Sequence, residues 1–516
     1  MRPASTSFVH SAAVPVPVAS CAFPGQPDEP ADETAARLRL RDTLQRFGGS
    51  GPRYTSYPTA DRFTEGIAAT DYIRLLQAVA TRVAAPDTAP LSLYVHLPFC
   101  AHLCWYCGCN KVVTRDHGRS AKYIRYLDRE MALVTEATGR GLPVGQLHWG
   151  GGTPTFLSHD EMRDLMRRTR QYFDLQSDGE FAIEIDPRAV QADTVAVLAE
   201  LGFNRFSLGV QDVDPAVQEA IHRVQPVSQT RAVIDAARQH GIRSINLDLI
   251  CGLPLQTLAS FDATLRTVID MAPERIAIYG YAHLPHLFKP QRRIDGDALP
   301  SASEKLDMML LAGERLAAAG YLDIGMDHYA RPDDDLARAQ AEGRLHRNFQ
   351  GYSTQAQSDL LAFGISAIGK PGEAFVQNVR TLDDYYTALD ARQFPILRGH
   401  HLTEEDHRRA EIIQALMCHF TFDIAAFEAR HQIDFQRAYA GPLAQLVPLQ
   451  AAGLVNVAAG RIDVTPLGRH LVRRVAMAFD AYLAAEPAPD GRADGHTEGC
   501  TSRAIPIQPL RYSRIL

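Results

Sequence analysis

Short apolar runs recur through the middle of the chain, each rich in β-branched or aromatic residues and most bounded by Gly or Pro. They are Leu91–His96, Gln146–Trp149, Glu180–Asp186, Arg205–Val210, Ser244–Ile250 and Arg275–Tyr281, and this pattern predicts strands. Between them lie stretches with apolar positions at helical spacing: Ala121–Glu136, Ser158–Tyr172, Ala189–Leu201, Gln229–His240 and Thr257–Met271. Ser158-His-Asp-Glu161 and Ser301-Ala-Ser-Glu304 set Ser three residues before Glu, a helix-start signature. Strand and helix alternating in this way predict βαβ units on a parallel sheet. Six units are too few to close an eight-stranded barrel. The expected class is therefore α/β, an open (β/α)6 three-quarter barrel, with its chemistry at the carboxyl ends of the strands.

Beyond about Gly325 the rhythm changes. Residues 331–400 lack clean alternation, and residues 403–485 read mostly as helices with one hairpin, Gly453-Leu-Val-Asn-Val457 and Arg461-Ile-Asp-Val464. The expected organisation is a disordered Pro/Ala-rich extension over 1–48, a catalytic barrel over 49–330, a mainly helical domain over 331–485 and a flexible tail over 486–516.

The 516 residues are 46% apolar and 22% charged, ordinary for a globular protein, and the net charge of −7 argues against general nucleic-acid binding. No apolar run approaches the roughly 20 residues of a membrane helix. Val18-Ala-Ser-Cys21 resembles a lipoprotein cleavage box. The run before it is short and holds two prolines, and Arg2 alone supplies the basic region, so export is not expected. Cys21, Cys251, Cys418 and Cys500 are scattered and form no disulfide framework, which fits a reducing, cytoplasmic compartment.

The remaining cysteines are clustered as Cys100-Ala-His-Leu-Cys104-Trp-Tyr-Cys107-Gly-Cys109, directly after the first strand. The C-x3-C-x2-C spacing can hold three irons of a cubic iron–sulfur cluster and leave the fourth iron open. Electron-transfer clusters usually have every iron tied to Cys, so an open iron points to chemistry at the cluster. The rival is a structural zinc with Cys109 as fourth ligand, although structural zinc more often uses two separated ligand pairs. Trp105 or Tyr106 would shield the cluster or stack on a ligand, or simply pack.

Gly150-Gly-Gly-Thr-Pro-Thr155 follows the second strand. Its glycines would let a ligand approach the backbone, with amide N–H groups free to donate; a tight βα turn is the plainer alternative. No Gly-Lys-Ser/Thr follows, so it is not a phosphate loop. Glu184 and Asp186 alternate onto one face of the third strand and need a partner there, either a ligand or an internal cation. Gln211, Asp212 and Asp248 lie at or near strand ends, with Arg223 and Arg243 as candidate carboxylate partners.

With the cysteine spacing and Gly-Gly-Gly-Thr-Pro together, the chain resembles the radical S-adenosylmethionine enzymes. Within them it resembles the oxygen-independent coproporphyrinogen III oxidases, from about Arg53 to Tyr482. The likeness rests on Arg53-Tyr-Thr-Ser-Tyr-Pro58, Cys107-Gly-Cys-Asn-Lys111, His148-Trp-Gly-Gly-Gly-Thr-Pro154, Asn246-Leu-Asp-Leu-Ile250, Gly325-Met-Asp-His328 and His346-Arg-Asn-Phe-Gln-Gly351. The related haem-chaperone-like proteins, the alternative reading, as a rule lack the cysteine present here as Cys109 and the Tyr-Thr-Ser-Tyr-Pro segment.

The resemblance implies one [4Fe-4S] cluster on Cys100, Cys104 and Cys107, and two molecules of S-adenosylmethionine. Tyr94, Gly151, Glu184 and Ile368 would hold the first. Tyr106, Gly152, Thr153, Gln211, Arg223, Asp248 and Ala282 would hold the second. Tyr106, which replaces Phe of some members, and Cys109 are the implied catalytic residues. The implied reaction turns two propionates of coproporphyrinogen III into vinyl groups with loss of carbon dioxide, giving protoporphyrinogen IX, and the hydrogen is taken by a 5′-deoxyadenosyl radical. Partners implied are a low-potential donor such as a flavodoxin or ferredoxin, with the enzyme a monomer. Arg53, Arg223, Arg243 and Lys111 are candidates for the substrate carboxylates.

Overall fold

The computed structural model describes residues 40–86, 88–355, 358–458 and 460–484. The Val18–Cys21 box, Cys500, nearly all of the expected extension and the expected tail lie outside the described residues. Among the described residues, those from Leu44 onward form one compact unit that holds both the barrel and the helical domain.

Six βα units succeed one another. The strands are Leu91–Leu97 (β1), Leu142–Gly151 (β2), Phe173–Ile185 (β3), Arg205–Gln211 (β4), Ser244–Cys251 (β5) and Arg275–Gly280 (β6). The helices after them are His117–Thr138 (α1), His159–Tyr172 (α2), Ala192–Glu200 (α3), Val227–Gln239 (α4), Leu258–Asp270 (α5) and Ala302–Ala318 (α6). The Ser158–Glu161 and Ser301–Glu304 capping boxes both form. β1 to β6 lie side by side in sequence order, each pair parallel. The strand order is linear, so the barrel is open.

Alternation along each strand sorts the two faces. Leu147 and Trp149 of β2, Ile183 of β3, Phe206 and Leu208 of β4, and Leu247 and Leu249 of β5 are fully buried, in one apolar cluster with Leu127, Leu165, Leu198, Ile234 and Leu265 of the helices. The intervening residues, among them Gln146, His148, Glu180, Glu184, Ser207, Asn246 and Asp248, line the barrel's interior. Ser92 donates to Gln146 (3.1 Å), and Gln146 and Arg205 donate to Glu180 (2.9 and 2.7 Å). Burial opposes ionisation of Glu180, but Arg205 and Arg275 hold it at about 2. This network fills the deep interior to a remnant of about 110 Å³, so the open space lies towards the carboxyl ends.

Three further strands extend the sheet. Leu322–Gly325 (β7) and His328–Ala330 (β8) add an antiparallel edge beside β6. Leu360–Phe363 (β9) pairs parallel with β1 on the other edge. A boundary at residue 330 therefore needs correcting: a strand from the 331–400 region completes the barrel sheet. Four consecutive buried residues carry no period, which is why the pattern did not disclose it. The β3 strand starts at Phe173, directly after α2. Asp186 leaves the strand and caps a short 3-10 turn begun by Pro187, so α3 starts at Ala192 rather than Ala189.

Residues 402–484 are mainly helical around a small sheet in which Val455–Ala458 and Arg461–Val464 form the expected hairpin, joined by Thr421–Asp423. Among the described residues, no helix is long and apolar enough to cross a membrane.

Candidate active site

The cysteine loop leaves β1 and is anchored by backbone contacts on several sides. Phe99–Cys100 pairs with Val112–Val113, and Thr114 N–H donates to the Cys100 carbonyl at 2.9 Å. The Lys111 ammonium donates to the carbonyls of Cys107 (3.2 Å) and Cys109 (3.5 Å). Gln291 donates to the Tyr106 carbonyl at 2.8 Å, and Trp105 stacks on His222 at 5.2 Å.

Cys100, Cys104 and Cys107 open on one cavity of about 590 Å³, whose wall also includes Tyr106, Cys109, Gly151, Gly152, Thr153, Glu184, Gln211, Arg223 and Asp248. Burial, then the nearness of Cys107 and Cys104, pushes the Cys100 thiol up to about 12. Cys107 ionises before Cys109, because the Cys109 thiol donates to it. Gathered thiols of this kind stay ionised together only beside a positive centre, which iron supplies. Among the described residues, no three His, Cys, Asp or Glu side chains close on a single metal-ion position. The three thiols line one shared cavity. The chemistry of this donor set fits a [4Fe-4S] cluster.

Two guanidiniums face Cys104. Arg188 Nη2 and Arg223 Nη1 each lie 3.5 Å from its sulfur. Both also donate to Asp186, at 2.7 and 3.2 Å. Burial opposes ionisation of Asp186, but Arg223 and Arg188 hold it at about 2. The internal-cation alternative therefore accounts for Asp186. Arg223 is buried and donates to the Gly209 carbonyl at 2.6 Å, while its Nε is buried without a partner, an orphaned donor in a residue of the cavity wall.

The glycine turn corrects one expectation. Its amides are not free: Gly151 N–H donates to Glu184 Oε2 (3.0 Å), Gly152 N–H to the Leu97 carbonyl (2.9 Å) and Thr153 N–H to the Phe99 carbonyl (2.9 Å). The glycines are needed for close packing instead. A Cβ on Gly152 would lie 2.6 Å from the Pro98 oxygen, and Gly151 adopts a φ of +120° against the His96 ring. The turn is thereby stitched to the strand that ends in Cys100.

Glu184 also meets His148 at 3.4 Å. Burial opposes its ionisation, but His148 and the Gly151 amide outweigh that and hold the carboxyl below its usual range. Tyr94 stacks on His148 and hydrogen-bonds His96 Nδ1 at 3.0 Å. Asp248 accepts from Ser207 (2.7 Å) and Asn246 (2.9 Å), and burial raises it to about 6. Gln211 ends β4 in a left-handed conformation, φ 68°, where the ladder with β5 shifts register.

A second cavity, about 450 Å³, is lined by Tyr94, Gly151, Glu184 and Ile368, and shares Cys109, Gly151, Glu184 and Tyr279 with the larger one. Ala282 lines neither; it faces a separate cavity of about 490 Å³ beside Tyr281 and Lys305. Of the carboxylate-partner candidates, Arg243 is exposed just before β5, at the end away from the cysteines. Lys111 is engaged by its own loop, and Arg53 pairs with Asp327 at 3.3 Å.

Arg188, His148 and Arg347 were missed by sequence reasoning. Arg188 had a local signal, following Asp186 and Pro187. His148 alternates with Gln146 on the interior face. Arg347 lies inside the His346–Gly351 segment that carried the resemblance, but only the fold brings it to the cavity beside Tyr94.

The radical SAM superfamily model matches residues 94–268, and the HemN C-terminal domain model matches residues 402–471. The chain is 49% identical over 444 residues to the oxygen-independent coproporphyrinogen III oxidase of Pseudomonas aeruginosa, covering 86% of this chain and 95% of that one. To the enzyme of the same name from Escherichia coli it is 44% identical over 440 residues, covering 85% and 94%. The solved structure of coproporphyrinogen III oxidase (HemN) from Escherichia coli, described as a radical SAM enzyme, superposes with a TM-score of 0.80 at 43% identity, covering 83% of this chain and 97% of that one.

Proposed function

The chain belongs to the oxygen-independent coproporphyrinogen III oxidases of the radical S-adenosylmethionine superfamily, and from that premise we propose that it converts two propionates of coproporphyrinogen III to vinyl groups, giving protoporphyrinogen IX. It is an oxidoreductase of porphyrin biosynthesis, and its family implies a [4Fe-4S] cluster and S-adenosylmethionine. In our reading Cys100, Cys104 and Cys107 hold the cluster, and two molecules of S-adenosylmethionine bind. When bound, cluster and S-adenosylmethionine would together supply radical chemistry able to open a C–H bond that no acid, base or nucleophile of the protein could open.

The chain's own residues bind, aim and exclude. Arg188 and Arg223 lay positive charge against Cys104. The ionised Glu184, fixed by His148 and Gly151, would hold the first S-adenosylmethionine together with Tyr94 and Ile368. Tyr106, Gly152, Thr153, Gln211, Arg223 and Asp248 surround the second, and Ala282 would meet only a part reaching into the neighbouring cavity. Cys109, shared by both cavities, and Tyr106 are the catalytic candidates. The barrel wall keeps water away and holds the reacting atoms together.

Six free cysteines among the described residues support a reducing, cytoplasmic setting, with a low-potential carrier such as a flavodoxin or ferredoxin as donor and the single chain as the working unit. The observation that carries this reading is the convergence of the C-x3-C-x2-C thiols on the cavity at the strand ends. The test is an anaerobic incubation with coproporphyrinogen III, S-adenosylmethionine and a reductant, followed by oxidation and pigment analysis. Protoporphyrin is expected; coproporphyrin alone, from protein with its full iron, overturns the proposal.

A further inference from the structure

Arg347 is 3% exposed. Its Nε donates to the Arg53 carbonyl at 3.3 Å, and its guanidinium stands over the Tyr352 ring at 4.9 Å. Its backbone is clamped by Gln414, which accepts from its N–H (3.2 Å) and donates to its carbonyl (2.9 Å). Yet Nη1 is buried with no hydrogen-bond partner. Arg cannot shed its proton, and a buried charge left unpaired is costly. Such an arrangement persists when something else completes it.

The surroundings say what that is. Arg347 lines the 450 Å³ cavity with Arg53, Tyr94, Glu184, Tyr279, His328 and Ile368. Arg53 is already paired with Asp327. Glu184 already has His148 at 3.4 Å and accepts from the Gly151 N–H. Burial, then the charge of Arg347, drives His328 down to about 3, so it is neutral. Arg347, whose buried Nη1 lacks a partner, is a cation with a planar fork, the shape that binds a carboxylate through two parallel hydrogen bonds.

We propose that Arg347 is the carboxylate anchor of this cavity and holds a propionate of the tetrapyrrole substrate. This rests on the reaction assigned above. The four candidates from the sequence are engaged elsewhere or lie outside: Lys111 with its loop, Arg223 with Asp186 and Gly209, Arg53 with Asp327, and Arg243 at the opposite end of the barrel. The one other source of the same chemistry is the carboxylate of S-adenosylmethionine.

The test uses the full chain and two air-stable probes, coproporphyrin III and its tetramethyl ester, titrated by fluorescence. R347Q is expected to weaken coproporphyrin III by about 10- to 100-fold, the value of a charged hydrogen-bonded contact, and to leave the ester unmoved. R347K, a point charge without the fork, recovers part of the loss. Equal affinity of wild type and R347Q for the acid overturns the anchor. So does unchanged porphyrin binding with reduced retention of S-adenosylmethionine in equilibrium dialysis, which assigns the fork to the cofactor. Should R347Q not fold, R347K decides through the ratio of acid to ester affinity: a fall supports the anchor and an unchanged ratio overturns it. A wild type that leaves coproporphyrinogen III unconverted but prefers acid to ester through Arg347 ends the reaction assignment and keeps the anchor.

Discussion

Arg223 Nη1 stands 3.5 Å from the sulfur of Cys104, with the same guanidinium tied to Asp186. Positive charge at a cluster sulfur favours the reduced, more negative state. R223L is therefore expected to lower the reduction potential of the reconstituted protein by tens of millivolts, where about 59 mV is tenfold for one electron. A redox titration followed by electron paramagnetic resonance reads this directly. An unmoved potential would show that Arg223 does not tune the cluster.

The thiols divide into two kinds. Cys100→Ala, Cys104→Ala or Cys107→Ala is expected to abolish both iron binding and turnover. Cys109→Ala is expected to keep the iron and lose decarboxylation, since Cys109 lines both cavities and is not among the three proposed iron ligands. Iron content and pigment analysis on anaerobically purified variants separate the outcomes. Full iron with full turnover in any of the first three defeats the assignment.

Gly152→Ala would press a methyl against the Pro98 and Phe99 carbonyls at 2.6 and 2.7 Å. Backbone cannot swing aside as a side chain can, so the variant should lose about 1–3 kcal/mol in stability. Because that backbone carries Cys100, iron retention should fall with it. Denaturant unfolding and iron analysis check both, and an unchanged midpoint contradicts the packing argument.

Glu130 is buried on α1, where it accepts from Tyr385 Oη (2.6 Å), Gly364 N–H (2.8 Å) and Asn378 Nδ2 (2.6 Å). Burial outweighs these donors and raises it to about 7. The folded state thus binds the proton more tightly than the unfolded one, so this group's contribution to stability falls as pH rises from about 4.5 to 7, by up to about 3 kcal/mol. E130Q removes that slope. Unfolding of wild type and variant at pH 5 and 7.5 is the measurement, and parallel pH profiles would exclude the effect.

Much of the barrel was legible because its signals are local. Strands β1, β4, β5 and β6 fall within one or two residues of the runs that predicted them, since those runs are short and rich in β-branched or aromatic residues. Both Ser–Glu caps are set by residues three apart. The limits of α3 and the lone strand β9 were harder, because Pro187 redirects the chain after β3 and Leu360–Phe363 is too short to show a period.

The sequence by itself gathered the thiols proposed to hold the iron: three thiols within eight residues cannot be scattered by any fold, and six strand-like runs with amphipathic spacers admit few other architectures. Tertiary structure decided everything that depends on distant segments meeting. It engaged the glycine amides, put Arg188 and Arg223 at Cys104, moved Arg243 to the far end and brought Arg347 to the cavity. Spacing along a chain constrains neighbours within a loop or turn. Contacts between residues hundreds apart are set by the sheet's order and register, and these exist only once the core has packed.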